Sequence, residues 1–389
     1  GRNIHFTNVD FNGDGIEDRV TRNKVLQNIG DGTIVEHDIS GDFADIDNNG
    51  VMDAISYENG NIVIYMMNRD WTYTEYTIYS GAPFDDYLCY DFNKDNRKDI
   101  LLVFNYTEKF SGSYLILLTA TENGDFESYE YFYANKFRFK DCVDIDADGF
   151  YELFCMEEIG DNSYRIAYFD IDGTNISERA NYFESYLYPY DIWYSEHHYN
   201  VLDIDNDGIM ELSFQTLSDT LGVNSYQHKY NLIKLSKDVN QRPSKPDKPN
   251  VVYEPSTGGL SITWAQGTDK ATSSVDLTYA LRIGTEPGKG NVVYAHALTD
   301  GTRKNLMGGN QSTNRFRLLN TNTWKAGKYY ISIQVVDPNN RGSEFSEEVI
   351  FEKNTYANAF TLLYDKPFGV GDTCKVQLHQ NVLLSKDYS

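Results

Sequence analysis

Asp203-Ile204-Asp205-Asn206-Asp207-Gly208-Ile209-Met210-Glu211 is the last of five statements of one nine-residue pattern. The others are Asp10 to Asp18 (DFNGDGIED), Asp45 to Asp53 (DIDNNGVMD), Asp91 to Asp99 (DFNKDNRKD) and Asp144 to Glu152 (DIDADGFYE). Positions 1, 3 and 5 are Asp or Asn, position 2 is Phe or Ile, position 6 is Gly or once Asn, and position 9 is Asp or Glu. Oxygen side chains at every second residue, turned sharply at position 6, suit a hard cation of calcium size. The turn demands a positive φ at position 6, which Gly reaches freely and Asn tolerates. A single match would carry little weight; five in one register carry a great deal.

The 389 residues have room for two or three domains. There are 58 acidic and 34 basic residues, a formal charge of −24. The side chains at positions 1, 3, 5 and 9 hold 17 carboxylates, so most of the acidic excess sits in the loops. Five divalent ions would bring the net charge to about −14. Such a balance argues against nucleic acid, which needs Lys and Arg to neutralise phosphates, and against polybasic contact with anionic lipid. Cys89, Cys142, Cys155 and Cys374 form no CxxC pair, so neither a zinc site nor a dense disulfide scaffold is indicated, and buried thiols are expected. No apolar run approaches the ~20 residues of a membrane span. The start at Gly1-Arg2, almost on the first repeat, reads as a trimmed mature terminus. Millimolar calcium outside cells favours an extracellular, cell-surface or periplasmic location.

The flanks of the loops decide the fold. EF-hands would place a bidentate Glu at position 12 and helices on both sides. Here position 12 is Thr21, Ser56, Leu102, Cys155 and Phe214, and the flanks are β-type runs such as Ile100-Leu101-Leu102-Val103-Phe104. Further strand-like pieces lie between the loops, for example Ile62 to Met66 and Tyr114 to Leu118, bounded by turn residues. Loop starts are 35, 46, 53 and 59 residues apart, which suits about four short strands per repeat, the size of a propeller blade.

Residues 1–238 resemble the integrin-α-like FG-GAP or VCBS repeats, in which a hydrophobic strand, DxDxDGxxD and a second hydrophobic strand recur. The resemblance implies an all-β fold, a β-propeller with calcium in each loop, and exported bacterial proteins as its setting. Five motif-bearing blades are expected; the alternatives are a further blade without the motif in a longer interval, or one completed by the residues after 353. The implied ligands are the side chains of positions 1, 3, 5 and 9 with the carbonyl of position 7. They are Asp10, Asn12, Asp14, Ile16 and Asp18; Asp45, Asp47, Asn49, Val51 and Asp53; Asp91, Asn93, Asp95, Arg97 and Asp99. The last two sets are Asp144, Asp146, Asp148, Phe150 and Glu152, then Asp203, Asp205, Asp207, Ile209 and Glu211. The third copy departs from the pattern at Asn96 and Arg97.

The stretch from Tyr182 to Tyr199 is dense in aromatic residues. Tyr186, Tyr188, Tyr190, Trp193 and Tyr194 are the candidate platform on which sugar rings or a partner protein would stack. The competing reading is outer-strand packing in a chain that holds 31 Tyr. His197 and His198, adjacent on a strand, would point to opposite faces and make a poor metal pair.

Residues 239–250 hold three of the nine prolines in polar sequence and mark a linker. Residues 251–353 read as a β-sandwich. Leu260, Ile262 and Trp264 fall on one face, as do Leu277, Tyr279, Leu281 and Ile283. This part resembles a fibronectin type III domain, with Trp264 as its core Trp and Tyr329 favoured over Tyr330 as its corner Tyr. It departs from that family in the long segment Gly284 to Asn314. Residues 354–389 offer three short strands, too few for a core of their own.

Three functions suit these features. A non-catalytic, calcium-stabilised binding or adhesion module for a glycan or extracellular protein stands first. A structural spacer in a larger surface protein and a calcium-dependent polysaccharide lyase or hydrolase follow. Tyr186, Tyr190, His197 or His198 would supply a lyase base, but no catalytic family motif accompanies them.

Overall fold

The computed structural model describes residues 8–21, 24–79, 82–107, 112–160, 163–178, 183–185, 199–219, 226–305, 308–354, 359–363 and 375–379. Among them the protein is built from β-strands, with one 3-10 turn at Ser274–Asp276. Five antiparallel sheets come first. They contain β1 (Asn8–Val9), β2 (Asp18–Val20), β3 (Val25–Asn28) and β4 (Ile34–His37); then β5 (Asp42–Ala44), β6 (Asp53–Glu58), β7 (Asn61–Met67) and β8 (Tyr73–Tyr79). The third holds β9 (Asp86–Tyr90), β10 (Asp99–Thr107), β11 (Gly112–Ala120) and β12 (Phe126–Tyr133). The fourth holds β13 (Lys136–Val143), β14 (Tyr151–Gly160), β15 (Ser163–Asp172) and β16 (Asn175–Glu178), with β17 (Phe183–Ser185) also on β15. β18 (Tyr199–Leu202), β19 (Glu211–Asp219) and β20 (Tyr226–Lys234) form the fifth. Each acidic loop joins the first two strands of its sheet.

The central strands carry unbroken apolar runs because both their faces are covered. In β10, Leu101 and Val103 pack with Leu115, Phe137 and Phe169 of the third and fourth sheets. Ile100, Leu102 and Phe104 point the other way, onto Ile55, Ile62 and Ile64 of the second sheet. Val9, Phe11 and Val25 join the first sheet to Phe43 and Met52 of the second. Phe154, Ile166 and Tyr168 join the fourth to Tyr199 and Leu212 of the fifth. The sheets are thus stacked face to face in chain order. Among the described residues no such cluster joins the fifth sheet to the first, and a closed ring is not observed.

The second part is a sandwich. Its first sheet has the order β21 (Asn250–Glu254), β22 (Gly259–Thr263), β24 (Phe316–Asn320). The opposing sheet runs β23 (Thr278–Gly284), β25 (Gly327–Val336), β26 (Val349–Lys353). Leu260, Ile262, Trp264, Tyr279, Leu281 and Ile333 fill the space between them. Tyr329 is buried and donates its hydroxyl to the Lys325 carbonyl at 2.7 Å, the back-bond expected of a corner Tyr. The long segment after β23 folds over the outer face of its sheet. There Ala280 and Val336 meet Ala295 and Phe345, so β23 is buried on both sides. Asn240 holds the Pro-rich stretch to both parts, donating its backbone N–H to the Gly208 carbonyl and its amide to Asp337. β27 (Ala359–Leu363) and β28 (Lys375–His379) pair as a hairpin; Val382 to Leu384 lie outside the described residues.

Candidate metal centre

All five loops close with the same hydrogen bonds. The position-6 N–H donates to Oδ2 of position 1 at 2.7–3.2 Å. The position-5 N–H donates to Oδ1 of position 3 at 3.0–3.4 Å, and the position-7 N–H to Oδ1 of position 5 at 2.7–2.9 Å. Position 6 has the expected positive φ, from Asn96 at 67° to Gly208 at 91°. Position 4 is left-handed too: Gly13, Asn48, Lys94, Ala147 and Asn206 have φ of 58–71°. Gly13, Asn48 and Asn206 are residue types that accept this conformation, whereas Lys94 and Ala147 give no signal of it.

Position 9 does a different job from the others. Its carboxylate accepts the position-2 N–H in every loop, at 2.7–3.0 Å. In Asp18, Asp53 and Asp99 the second oxygen accepts the N–H of the last residue of the third strand: Asn28, Met67 and Ala120. The residue is a staple between the loop and two strands, and each of its oxygens keeps a lone pair for a cation.

The ligand atoms of Asp45, Asp47 and Asp53 lie within 4.8 Å of one another, as do those of Asp144, Asp146 and Glu152, and those of Asp203, Asp205 and Glu211. Two oxygens on opposite sides of one calcium ion would stand about 4.6–5.2 Å apart. The other two loops have Asn12 and Asn93 at position 3, so only two of positions 1, 3 and 9 are carboxylates there. Asp10, Asp45 and Asp144 are each over nine-tenths buried, and Oδ1 of each has no hydrogen-bond partner. Buried, unpaired carboxylate oxygens are costly unless a cation meets them. Loops one, two and four therefore fit a hard cation.

The remaining two differ. In the third, both oxygens of Asp91 accept N–H groups, and Arg97 turns back to pair with Asp95 at 2.5 Å. In the fifth, the Lys234 ammonium pairs with Asp207 and lies 3.5 Å from Asp205 and 3.4 Å from Glu211. The third loop carries part of its compensating charge in its own Arg97, and the fifth receives it from Lys234 at the end of β20.

Burial with no cation pushes Asp53 up to about 8, Asp10 and Asp99 to about 7, and Glu152 to about 9. These folded values exceed the unfolded ones of 3.8 for Asp and 4.5 for Glu, so the folded chain binds more protons between those limits. The stability of the cation-free protein must then fall as pH rises from about 4 toward 8–9. Thermal melts in chelator are expected to show a lower midpoint at pH 8 than at pH 5.5, with the difference reduced in calcium. Equal midpoints in chelator would contradict it.

Every loop also touches the second part of the chain. A β-carbon at Gly15 would lie 2.6 Å from the Phe316 ring, at Gly149 2.1 Å from the Ala271 carbonyl oxygen, and at Gly208 2.3 Å from Arg341 Nη1. Position 6 is glycine for close approach as well as for φ. In the third loop Asn96 stands there and accepts the Ser274 hydroxyl at 2.9 Å.

The candidate platform residues Tyr186, Tyr188, Tyr190, Trp193 and Tyr194, with His197 and His198, lie outside the described residues. The structure adds an aromatic cleft of about 430 Å³ lined by His37, Tyr65, Met67, Trp71 and Tyr73 with Glu58. Phe11, Trp71 and His37 stack in one column there, with ring centroids 5.5 and 3.4 Å apart. The rings come from three separate segments, so no local pattern betrayed them. Cys142 and Cys155 are buried, Cys89 is half-buried, and none of the three is in a disulfide.

No protein-family model matches the chain, and no curated protein matches it. Among solved structures, a mannose phosphorylase from Leishmania mexicana bound to phosphate ion aligns at 10% identity over 68% of this chain and 69% of that one, with a TM-score of 0.23. A central fibronectin-III array of RIM-binding protein aligns at 12% identity over 78% and 96%, with a TM-score of 0.20. At such scores neither similarity bears on activity. Among the described residues no helix is long and apolar enough to cross a membrane. What stands is an all-β protein of several antiparallel sheets with acidic clusters that can hold metal ions.

Proposed function

We propose that this chain is a non-catalytic binding module of an exported or cell-surface protein, in which calcium-loaded FG-GAP/VCBS-type blades carry a fibronectin type III-like sandwich. The observation that carries the reading is the commitment of the loop carboxylates. Position 9 caps backbone N–H groups in all five copies, and position 1 bonds to position 6. Acid–base chemistry needs a carboxyl group facing substrate; these face their own backbone. When bound, a calcium ion supplies the charge compensation that Asp10, Asp45 and Asp144 lack. The loops are then structural, and recognition belongs to another surface. The aromatic stretch with Tyr186, Tyr188, Tyr190, Trp193 and Tyr194 is the proposed platform, and a glycan or an extracellular protein is the proposed ligand. Domain limits at 238, 250 and 353 belong to the same proposal.

The test is glycan-array binding in millimolar calcium with the intact chain, Tyr188→Ala and Trp193→Ala. Binding by the intact chain that falls tenfold or more in either variant supports the platform; binding equal in all three contradicts it. New unsaturated ends or reducing sugars after incubation with acidic polysaccharides would make the protein an enzyme instead.

A further inference from the structure

The first residue of each acidic loop accepts a hydrogen bond from the sandwich, a correspondence that holds five times out of five; at Asp91 the sandwich's Asp276 also accepts the backbone N–H, at 3.1 Å. Asn314 donates to Asp10 Oδ2 at 3.0 Å, Thr313 to Asp45 Oδ2 at 2.7 Å, and Ser273 to Asp91 Oδ2 at 2.6 Å. Asn339 donates to the Asp144 carbonyl at 2.6 Å, and Arg341 to Asp203 Oδ2 at 3.1 Å. We propose that seating of the sandwich on the loop face and cation loading of the loops are one coupled event, so that cations latch the two parts together. This rests on the reading of the loops as cation sites and goes beyond it.

The coupling comes from charge in a buried interface. The three side-chain donors that meet Asp10, Asp45 and Asp91 all go to Oδ2, the oxygen that also accepts the position-6 N–H. Oδ1 of Asp10, Asp45 and Asp144 is left buried with no donor from either part. Seating without a cation strips water from these oxygens and gives nothing back. With a cation in the loop the same burial strengthens the ion's attraction, because the local dielectric falls. The loaded loop therefore favours the seated sandwich, and by reciprocity the seated sandwich raises cation affinity. Shape reinforces this. The Gly15 carbonyl accepts the Leu318 N–H at 2.8 Å, and Gly149 lies directly under Ala271, so an emptied loop that relaxes loses its seat. The fifth loop works in the opposite sense: Arg341 brings its own positive charge to Asp203, and seating there substitutes for part of the ion.

The test has two arms on the full chain. Calorimetric calcium titration compares the intact protein with Thr313→Ala/Asn314→Ala, which leaves every proposed ligand in place; affinity is expected to weaken about tenfold at the tighter sites. Small-angle scattering of the intact protein in calcium and in EDTA reads the seat directly. The radius of gyration is expected to grow in EDTA and return on adding calcium. If the double variant fails to fold, the scattering arm decides alone. An unchanged affinity in a folded double variant, or an unchanged radius in EDTA, overturns the coupling while leaving the calcium reading intact. An intact protein that binds no calcium overturns both.

Discussion

Chelation is expected to lower the melting temperature of this protein by on the order of 5–10 °C. Sites of extracellular type bind calcium at about 10⁻⁴–10⁻³ M, so at millimolar calcium each adds about 0.5–1.5 kcal/mol to folding by mass action. Loops one, two and four meet the fit criterion of a buried, donor-free oxygen at position 1. Three such sites contribute about 2–4 kcal/mol, and a unit of this size shifts by about 2–4 °C per kcal/mol. That is a large share of the ~5–15 kcal/mol that holds an ordinary domain together. Differential scanning calorimetry in 1 mM calcium and in EDTA, with metal analysis of the purified protein, measures it. A midpoint indifferent to EDTA in a protein that contains no calcium would remove the ion from the account of these loops.

Gly149→Ala should cost about 3 kcal/mol, far more than an ordinary surface glycine. Two penalties add at this position. Its φ of 86° is left-handed, which costs an L-residue about 1–2 kcal/mol. Its new β-carbon would also stand 2.1 Å from the Ala271 carbonyl oxygen, and relieving such an overlap costs about 1–3 kcal/mol. Gly32 is the internal control. Its φ is 96°, but nothing lies within 4 Å of its β-position, so Gly32→Ala should cost only about 1 kcal/mol. Urea unfolding of both variants in calcium gives the comparison. Equal losses would mean that the contact between the fourth loop and residue 271 does not hold in solution.

Much of this architecture was legible in the residues. The five loops announced themselves because their chemistry lies in residue identity at fixed spacing, and the stacked sheets followed from apolar runs at blade-sized intervals. Tyr329 was distinguishable from Tyr330 because alternation with Ile331 and Ile333 placed it inward, where it is found. Other features left no trace. Ala147 and Lys94 give no hint of a left-handed backbone, which the loop's closure imposes on them. Thr313, Asn314 and Asn339 look like ordinary polar turn residues; their partners are 268, 304 and 195 positions away. At position 6 the sequence displays only the need for a positive φ, because the atoms that crowd the glycine belong to a distant segment. The position-9 carboxylate counted as one more ligand, and its hydrogen bonds to two strands came from register that no single repeat displays.

Leu101 to Phe104 of β10 and Leu115 to Leu118 of β11 are covered on both faces of their sheet. Local opening costs most where the most buried contact is released. The amides of these two strands will therefore exchange with solvent far more slowly than those of β4, whose side chains are largely exposed.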